Sequence, residues 1–400
     1  MSNRAAAIFV ITRLREKGFK ALLAGGCVRD RLLGREAKDY DVATNAEPAQ
    51  VMKLFKRTLK VGARFGVVIV LIDQDQIEVA TFRADAEYVD GRRPTQVHFT
   101  TAKEDAARRD FTINGMFYDP VEDRVIDYVG GEVDLNKRVI RTIGLPDDRF
   151  QEDYLRMLRA VRFSAQLSFE IAPATFEAMQ RYAPQIVKTS QERISMELEG
   201  ILCCDNRAQG VRLLIETHLA DVIFRGMTPS DLTQSCDVLV RLGHAVAYPL
   251  GLAGLCAALE PKAALKQLEN LKLSRQQIRH VIYLLEHRGD LLKDSMSLAQ
   301  VKLLAGAPYC SDLLALQKAI QLADNGSLDA LTVFQDRVAQ LGDTPLRPKP
   351  LLNGHELMAM DIPAGPKLGQ LADALYLAQL EGTVQTKEQA LQWIKTRCGL

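Results

Sequence analysis

Four hundred residues exceed what one compact core holds, so two to four domains are expected. With 47% hydrophobic and 25% charged residues the composition is that of an ordinary globular chain, and no apolar run is long enough for a membrane span. The net charge of +1 excludes an overall basic character as a sign of nucleic-acid binding, although a basic stripe on one face survives a neutral total.

The opening "MSNRAAAIFVITRLREKGF" carries charges within its apolar stretch and has a helical period. It is expected to be a helix with Ile8, Ile11 and Leu14 on one face, stopping at Gly18, and not a signal peptide. A buried strand "ALLAGG", a short helix from about Val28 and a strand carrying "DYDVAT" follow. Pro48 opens the next helix after Asn45. "FGVVIVLID" and "QIEVATF" read as a hairpin. Residues 83–104 are polar, punctuated by glycine and proline, and basic in the middle, as befits a functional loop.

From about residue 147 the pattern is helical. "DRFQEDYLRMLRAVRFSAQLSF" reads as one amphipathic helix, and "TSQERISMELEGILC" as another, capped by Ser190 or Thr189. Helices continue to about 342, where "GDTPLRPKPLLNG" marks a boundary before a last helical unit. The segments are therefore 1–140, 141–205, 206–345 and 346–400, an α+β head followed by helices. The seven cysteines are scattered without a CxxC pair and are expected to be reduced thiols; the six histidines are dispersed and read as structural or surface residues.

Two stretches carry chemistry. On a strand, Asp39 and Asp41 share a face while Tyr40 and Val42 turn inward. Carboxylates about 7 Å apart can hold Mg²⁺ for phosphoryl transfer, with Glu78, between inward-reading Ile77 and Val79, as third acid. An exposed strand that alternates acid with apolar residues gives the same pattern. A lone Gly-Gly is likewise an ordinary tight turn. Gly25–Gly26 followed by Arg29 and then by the Asp pair, however, suits a phosphate seat beside a metal site.

The second stretch, "EDYLRMLRAVRF", spaces Asp153, Arg156, Arg159 and Arg162 by three, with Leu155, Leu158 and Val161 packing inward. A solvated, salt-bridged helix is one reading. Base chemistry gives another. Cytosine and adenine present an amino donor beside a ring-nitrogen acceptor, whereas uracil and guanine present a carbonyl beside an N–H. A fixed Asp next to a fixed Arg suits the first two and leaves buried polar groups unpaired with the others.

"LLAGGCVRDRLLG", "DYDVAT", "RRDFTINGMFYDP", "EDYLRMLRAVRF" and "ERISMELEGIL", in that order, resemble the class II tRNA nucleotidyltransferase / bacterial poly(A) polymerase family. The resemblance covers about residues 20–205. It implies a polymerase-β-like nucleotidyltransferase head, a mixed sheet with helices, followed by an elongated all-helical neck, body and tail. It implies that Gly26 and Arg29 bind the triphosphate, that Asp39 and Asp41 bind Mg²⁺, and that Glu78 completes the catalytic acids. Arg109 would contact the nucleotide, with Asp110 positioning it or the neighbouring strand. Asp153 and Arg156 would form the base-edge template, and Arg159 and Arg162 would complete a CTP and ATP pocket. Segment 83–104 resembles the loop that helps the pocket switch from C to A, "TSQERISMEL" the neck helix, and "PLLNGHELMAMDIPAGPKLGQL" the tRNA-meeting tail. No paired-His phosphohydrolase motif and no arginine-rich tail accompany them.

The expected function is template-independent addition of C, C and A to the tRNA 3′ end from CTP and ATP, in the cytoplasm, with no membrane and no protein partner implied. A poly(A) polymerase or A-adding enzyme is the alternative within the class. An RNA-binding protein with a dead head is the alternative outside it, and Asp39, Asp41 and Glu78 argue against that.

Overall fold

The computed structural model describes residues 2–60, 65–85, 97–293, 295–360 and 362–398. Helix α1 (Asn3–Arg15) starts where the Ser2 hydroxyl accepts the Ala5 N–H. Its buried stripe is Ala6, Ala7, Val10, Ile11 and Leu14, and Ile8 is only half-buried. The expected Ile11 and Leu14 are thus on the buried face, which Ala7 and Val10 complete in place of Ile8.

The head then runs β1 (Ala21–Ala24), α2 (Gly26–Leu32), β2 (Asp41–Thr44), α3 (Pro48–Leu54), β3 (Thr58–Leu59), β4 (Val67–Ile72) and β5 (Asp75–Thr81). After it come β6 (Arg83–Asp85), β7 (Val97–Phe99), α4 (Ala102–Ala107), β8 (Phe117–Asp119), β9 (Arg124–Ile126) and α5 (Gly131–Lys137). Seven strands form one sheet in the order β3-β4-β5-β2-β1-β8-β9. Among its described pairs only β2 and β5 run parallel; the β4–β5 hairpin is antiparallel, with Ile72 opposite Asp75. Asp73, at φ +54, supplies the left-handed residue of that two-residue turn.

The sheet core includes Leu22, Ala24, Ala43, Phe82 and Phe117, the two phenylalanine rings meeting edge to face at 5.8 Å. The polar segment 83–104 is less of a loop than expected. Its flanks pair as β6 and β7, and Thr101 opens α4 with a capping box to Glu104. The middle of that segment lies outside the described residues.

The head ends on β10 (Val139–Ile140), and beyond it lie α6 (Pro146–Glu152), α7 (Leu155–Leu167), β11 (Glu170–Ile171), α8 (Pro173–Tyr182), α9 (Gln191–Leu202) and α10 (Arg207–Glu216). The neck is thus not purely helical, because its β11 pairs in parallel with β10 at the end of the head. Helix α7 packs on α9 and α10, and the expected Leu155, Leu158 and Val161 are all buried.

By its contacts the chain forms two compact units, residues 1–236 with 267–273, and 237–266 with 274–400. The second is helical. Its last three helices, Gly354–Met358, Pro366–Leu380 and Lys387–Cys398, close on Leu352, Leu357, Leu375, Val384, Ala390 and Ile394. That core draws Leu352 from the Pro-rich stretch itself, and residues 274–400 stay within the one unit. Among the described residues no helix is long and apolar enough to cross a membrane.

Candidate functional site

A cavity of about 1000 Å³ opens in the first unit between the sheet's β1–β2–β5 end and α7. Gly25 ends β1 at φ +74, and its N–H donates to the Met116 carbonyl at 3.3 Å. A Cβ there would lie 3.2 Å from Arg109 Nη1, so both the backbone conformation and the close guanidinium call for glycine. Helix α2 begins at Gly26 against the cavity. One turn on, Arg29 is held by Asp30 Oδ1 at 2.8 Å from Nε and by Asn114 Oδ1 at 2.9 Å from Nη1. Arg109 is fixed by Asp105, Nη2 to Oδ2 at 3.0 Å.

The register sets the acids. Val42 pairs with Val79 in the parallel β2–β5 ladder, which places Asp41 beside Glu78 on the face opposite the buried valines. Asp39 lines the same cavity but is not on the strand, contrary to the alternation expected of "DYD". The ladder to β1 ends at Ala24↔Asp41, because Gly25 turns the partner strand away. Tyr40 therefore has no strand to pair with and is half-buried instead of in the core.

Asp41 keeps surface open to the cavity, while the surrounding walls partly desolvate its carboxylate. That desolvation, then the facing Glu78 carboxylate, push its carboxyl up to about 6; Arg109 opposes them and Asp39 adds to them. Among the described residues no three His, Cys, Asp or Glu side chains converge as a complete metal cage. Crowded, unneutralised carboxylates do fit a divalent cation that takes its remaining ligands from phosphate oxygens and water, the habit of Mg²⁺.

The base-reading stretch is two helices, not one. It breaks at Asp153, whose backbone is extended (φ −157, ψ 105) between α6 and α7. Asp153 Oδ1 accepts the Leu155 N–H at 3.1 Å, which starts α7. Its carboxylate then takes a bidentate grip from Arg193 of α9, 3.2 Å to Oδ1 and 2.7 Å to Oδ2. The solvated Asp153-to-Arg156 bridge is therefore not what forms. Arg156 is 8% exposed, pairs with Glu152, and donates to the Arg149 carbonyl at 2.9 Å. Asp153 and Arg156 nonetheless both line the cavity.

Arg159 donates to Asp110 Oδ2, at 2.8 Å from Nε. Burial would raise the Asp110 carboxyl, but Arg159 and hydrogen bonds from Phe111 and Asn114 hold it below the usual carboxylate range. Arg162 reaches Glu197 Oε2 of α9 at 2.5 Å.

The structure thus brings Gly26, Arg29, Asp39, Asp41, Glu78, Arg109, Asp153, Arg156, Arg159 and Arg162 to one cavity. Sequence reasoning missed the residues that hold them: Asn114, Asp105, Glu152, Arg193, Glu197 and Phe163. Asn114 follows the "RRD" run by four residues and Phe163 follows Arg162, so proximity to the motif arginines is the signal that could have found both. Ten arginines and lysines and seven aspartates and glutamates line the cavity, an excess of three cations.

Gly200 of α9 is fixed by this arrangement, since a Cβ there would fall inside the contact shell of Arg162 Cδ. Gly200→Val is expected to displace Arg162 from Glu197 and to cost about 1–3 kcal/mol of stability, read from denaturant unfolding. An unchanged unfolding midpoint would show that the two helices part freely there.

Three family models match along the chain: "Poly A polymerase head domain" over residues 21–141, "Probable RNA and SrmB- binding site of polymerase A" over 168–230, and tRNA nucleotidyltransferase domain 2 over 251–394. A Bacillus subtilis (strain 168) protein named CCA-adding enzyme is 35% identical over 406 residues, covering 98% of each chain. The chain belongs to the tRNA nucleotidyltransferase and poly(A) polymerase family. A Streptococcus suis (strain 05ZYH33) CCA-adding enzyme is 33% identical over 395 residues, 96% of this chain and 94% of its own. Among solved structures, the Bacillus stearothermophilus CCA-adding enzyme in complex with CTP superposes with a TM-score of 0.82 at 29% identity, covering 99% of both chains. The Thermotoga maritima CCA-adding enzyme complexed with tRNA_CCA, at 20% identity and TM-score 0.67, shares the family fold.

Proposed function

We propose that this chain is a nucleotidyltransferase that adds C, C and A from CTP and ATP to the 3′ end of tRNA without a nucleic-acid template, releasing pyrophosphate. The observation that carries the reading is one cavity holding both halves of the task, the Gly25–Arg29 turn with Asp41 and Glu78 on one wall and the Asp153–Arg156 entry to α7 on the other. The like-named relatives and the CTP complex of the Bacillus stearothermophilus enzyme support it.

In this reading Gly26, Arg29 and Arg109 seat the triphosphate, and Asp153 with Arg156 accept the amino-bearing edge of C or A. The Arg193 grip keeps Asp153 aimed, while Arg159 and Arg162 line the base wall. The tRNA 3′ hydroxyl attacks the α-phosphate and pyrophosphate departs. Asp39 and Asp41 would hold Mg²⁺, which when bound lowers the hydroxyl pKa and offsets the charge that builds on phosphate. Glu78 keeps Asp41 poised to take a cation in place of a proton.

Segments 1–140, 141–205, 206–345 and 346–400 serve as catalytic head, neck with the base reader, body, and tRNA-contacting tail. Residence in the cytoplasm follows from the substrates.

The test supplies transcripts ending before CCA, after C and after CC with CTP and ATP, separately and together, and sequences the products. Completion to CCA followed by arrest is the expected result. Long A-runs on any RNA would instead place the chain among poly(A) polymerases.

A further inference from the structure

The phosphate seat and the base-reading helix are joined by one short polar chain. Asn114, at the end of the single turn Thr112–Asn114, is 7% exposed. Its Oδ1 accepts from Arg29 Nη1 at 2.9 Å and its Nδ2 donates to Asp110 Oδ1 at 3.2 Å. The other Asp110 oxygen accepts from Arg159 Nε at 2.8 Å. Arg159 lies 3.6 Å from Glu197, which in turn holds Arg162. Arg29, Arg159 and Arg162 also share the Phe163 ring, their guanidinium carbons 5.2, 5.3 and 4.2 Å from its centroid.

The direction of the Asn114 amide is forced. A guanidinium only donates and an ionised carboxylate only accepts, so the oxygen faces Arg29 and the nitrogen faces Asp110. A carboxylate at 114 would set like charge against Asp110. An aliphatic side chain would leave both neighbours a bond short.

Resting on the reading of Arg29 as a triphosphate contact and α7 as the base reader, we propose that Asn114 is a positioning residue that couples the triphosphate seat to the base-reading helix. A base that seats badly shifts Arg159; Asp110 and Asn114 carry the shift to Arg29, and the triphosphate is then held out of line. Selection at the base is in this way felt at the reacting phosphate. The contacts form a contiguous network whose two ends meet one ligand, a route along which such coupling can travel.

The test compares Asn114→Asp, which keeps an acceptor for Arg29 and repels Asp110, with Asn114→Ser, which removes the bridge with the least disturbance. CTP and UTP affinities of the RNA-free chain are measured beside single-nucleotide addition to a transcript lacking CCA. N114D is expected to lower kcat for CTP about tenfold and to shrink the CTP-over-UTP preference about tenfold, with N114S in between. Combined with R159K, either variant should change CTP affinity less than the product of the single effects, by about threefold or more.

A merely structural role would lower the unfolding midpoint and slow all nucleotides alike. An unchanged CTP-over-UTP preference in both variants, or strictly multiplicative effects on CTP affinity, would overturn the proposal. If the unsubstituted chain itself prefers neither CTP nor UTP, the base-reading assignment is what fails. The cycle on CTP affinity still decides whether Asn114 and Arg159 are coupled.

Discussion

Replacing Asp41 by Asn is expected to reduce nucleotide addition by about 10³-fold or more while leaving RNA affinity close to that of the parent. The side chain keeps its size, and an anion contributes nothing to holding phosphates. The same change should raise the thermal midpoint of the metal-free chain at pH 7. Folding raises the Asp41 carboxyl to about 6, so the folded state binds more protons than the unfolded one between the ordinary carboxylate range and that value. The site's contribution to stability is therefore full below the ordinary range and is lost as pH rises through about 6. Asn removes the charge that causes the loss. The gain should vanish near pH 4, where Asp41 is protonated in the folded chain. Scanning calorimetry at both pH values, run beside a primer-addition assay, checks the two halves together. Robust addition by the variant would remove Asp41 from the catalytic set, and equal midpoints at pH 7 would show that its desolvation and its crowding by Glu78 together cost nothing.

Replacing Asp153 by Ala is expected to cut discrimination against UTP and GTP by about 10²-fold. The base edge loses its fixed acceptor, and Arg193 loses the carboxylate that occupies its fork, leaving a donor that can now serve a uracil or guanine carbonyl. Loss of the hydrogen bond to the Leu155 N–H should cost about 1 kcal/mol of stability besides. Incorporation of each of the four nucleotides, measured separately on a transcript lacking CCA, reads the first effect, and denaturant unfolding reads the second. Sharp selection for C and A in this variant would mean that Asp153 braces α9 and reads nothing.

Much of the site was legible because it rests on local periodicity. Alternation along "QIEVAT" exposes Glu78 between buried Ile77 and Val79, and the Gly-Gly step after a buried strand marks the turn at Gly25. The same rule failed two residues upstream of Asp41, since a strand lasts only as long as its neighbour does, and no periodicity in "DYDVAT" records where β1 turns away. The break at Asp153 was hidden for a related reason. "DRFQEDYLRMLRAVRF" has neither glycine nor proline, and its apolar spacing runs on through the break. What opens it is an Arg193 forty residues later, pulling on the carboxylate that also caps α7. The flanks of segment 83–104 looked like loop because two three-residue strands leave too short a pattern to see. Asn114 and Phe163 were passed over because a buried amide and a buried ring look like core until the arginines around them are in place.

The excess of three cations in the cavity exceeds the net charge of the whole chain, so the remainder of the protein is slightly anionic. The field of such a molecule is not that of a diffuse polycation. It is strongest at one mouth, where low-dielectric walls keep the lines of force together, and it draws triphosphates and RNA ends inward. Capture should therefore slow as the Debye length shrinks with added salt, long before the buried pairs that shape the cavity feel any screening.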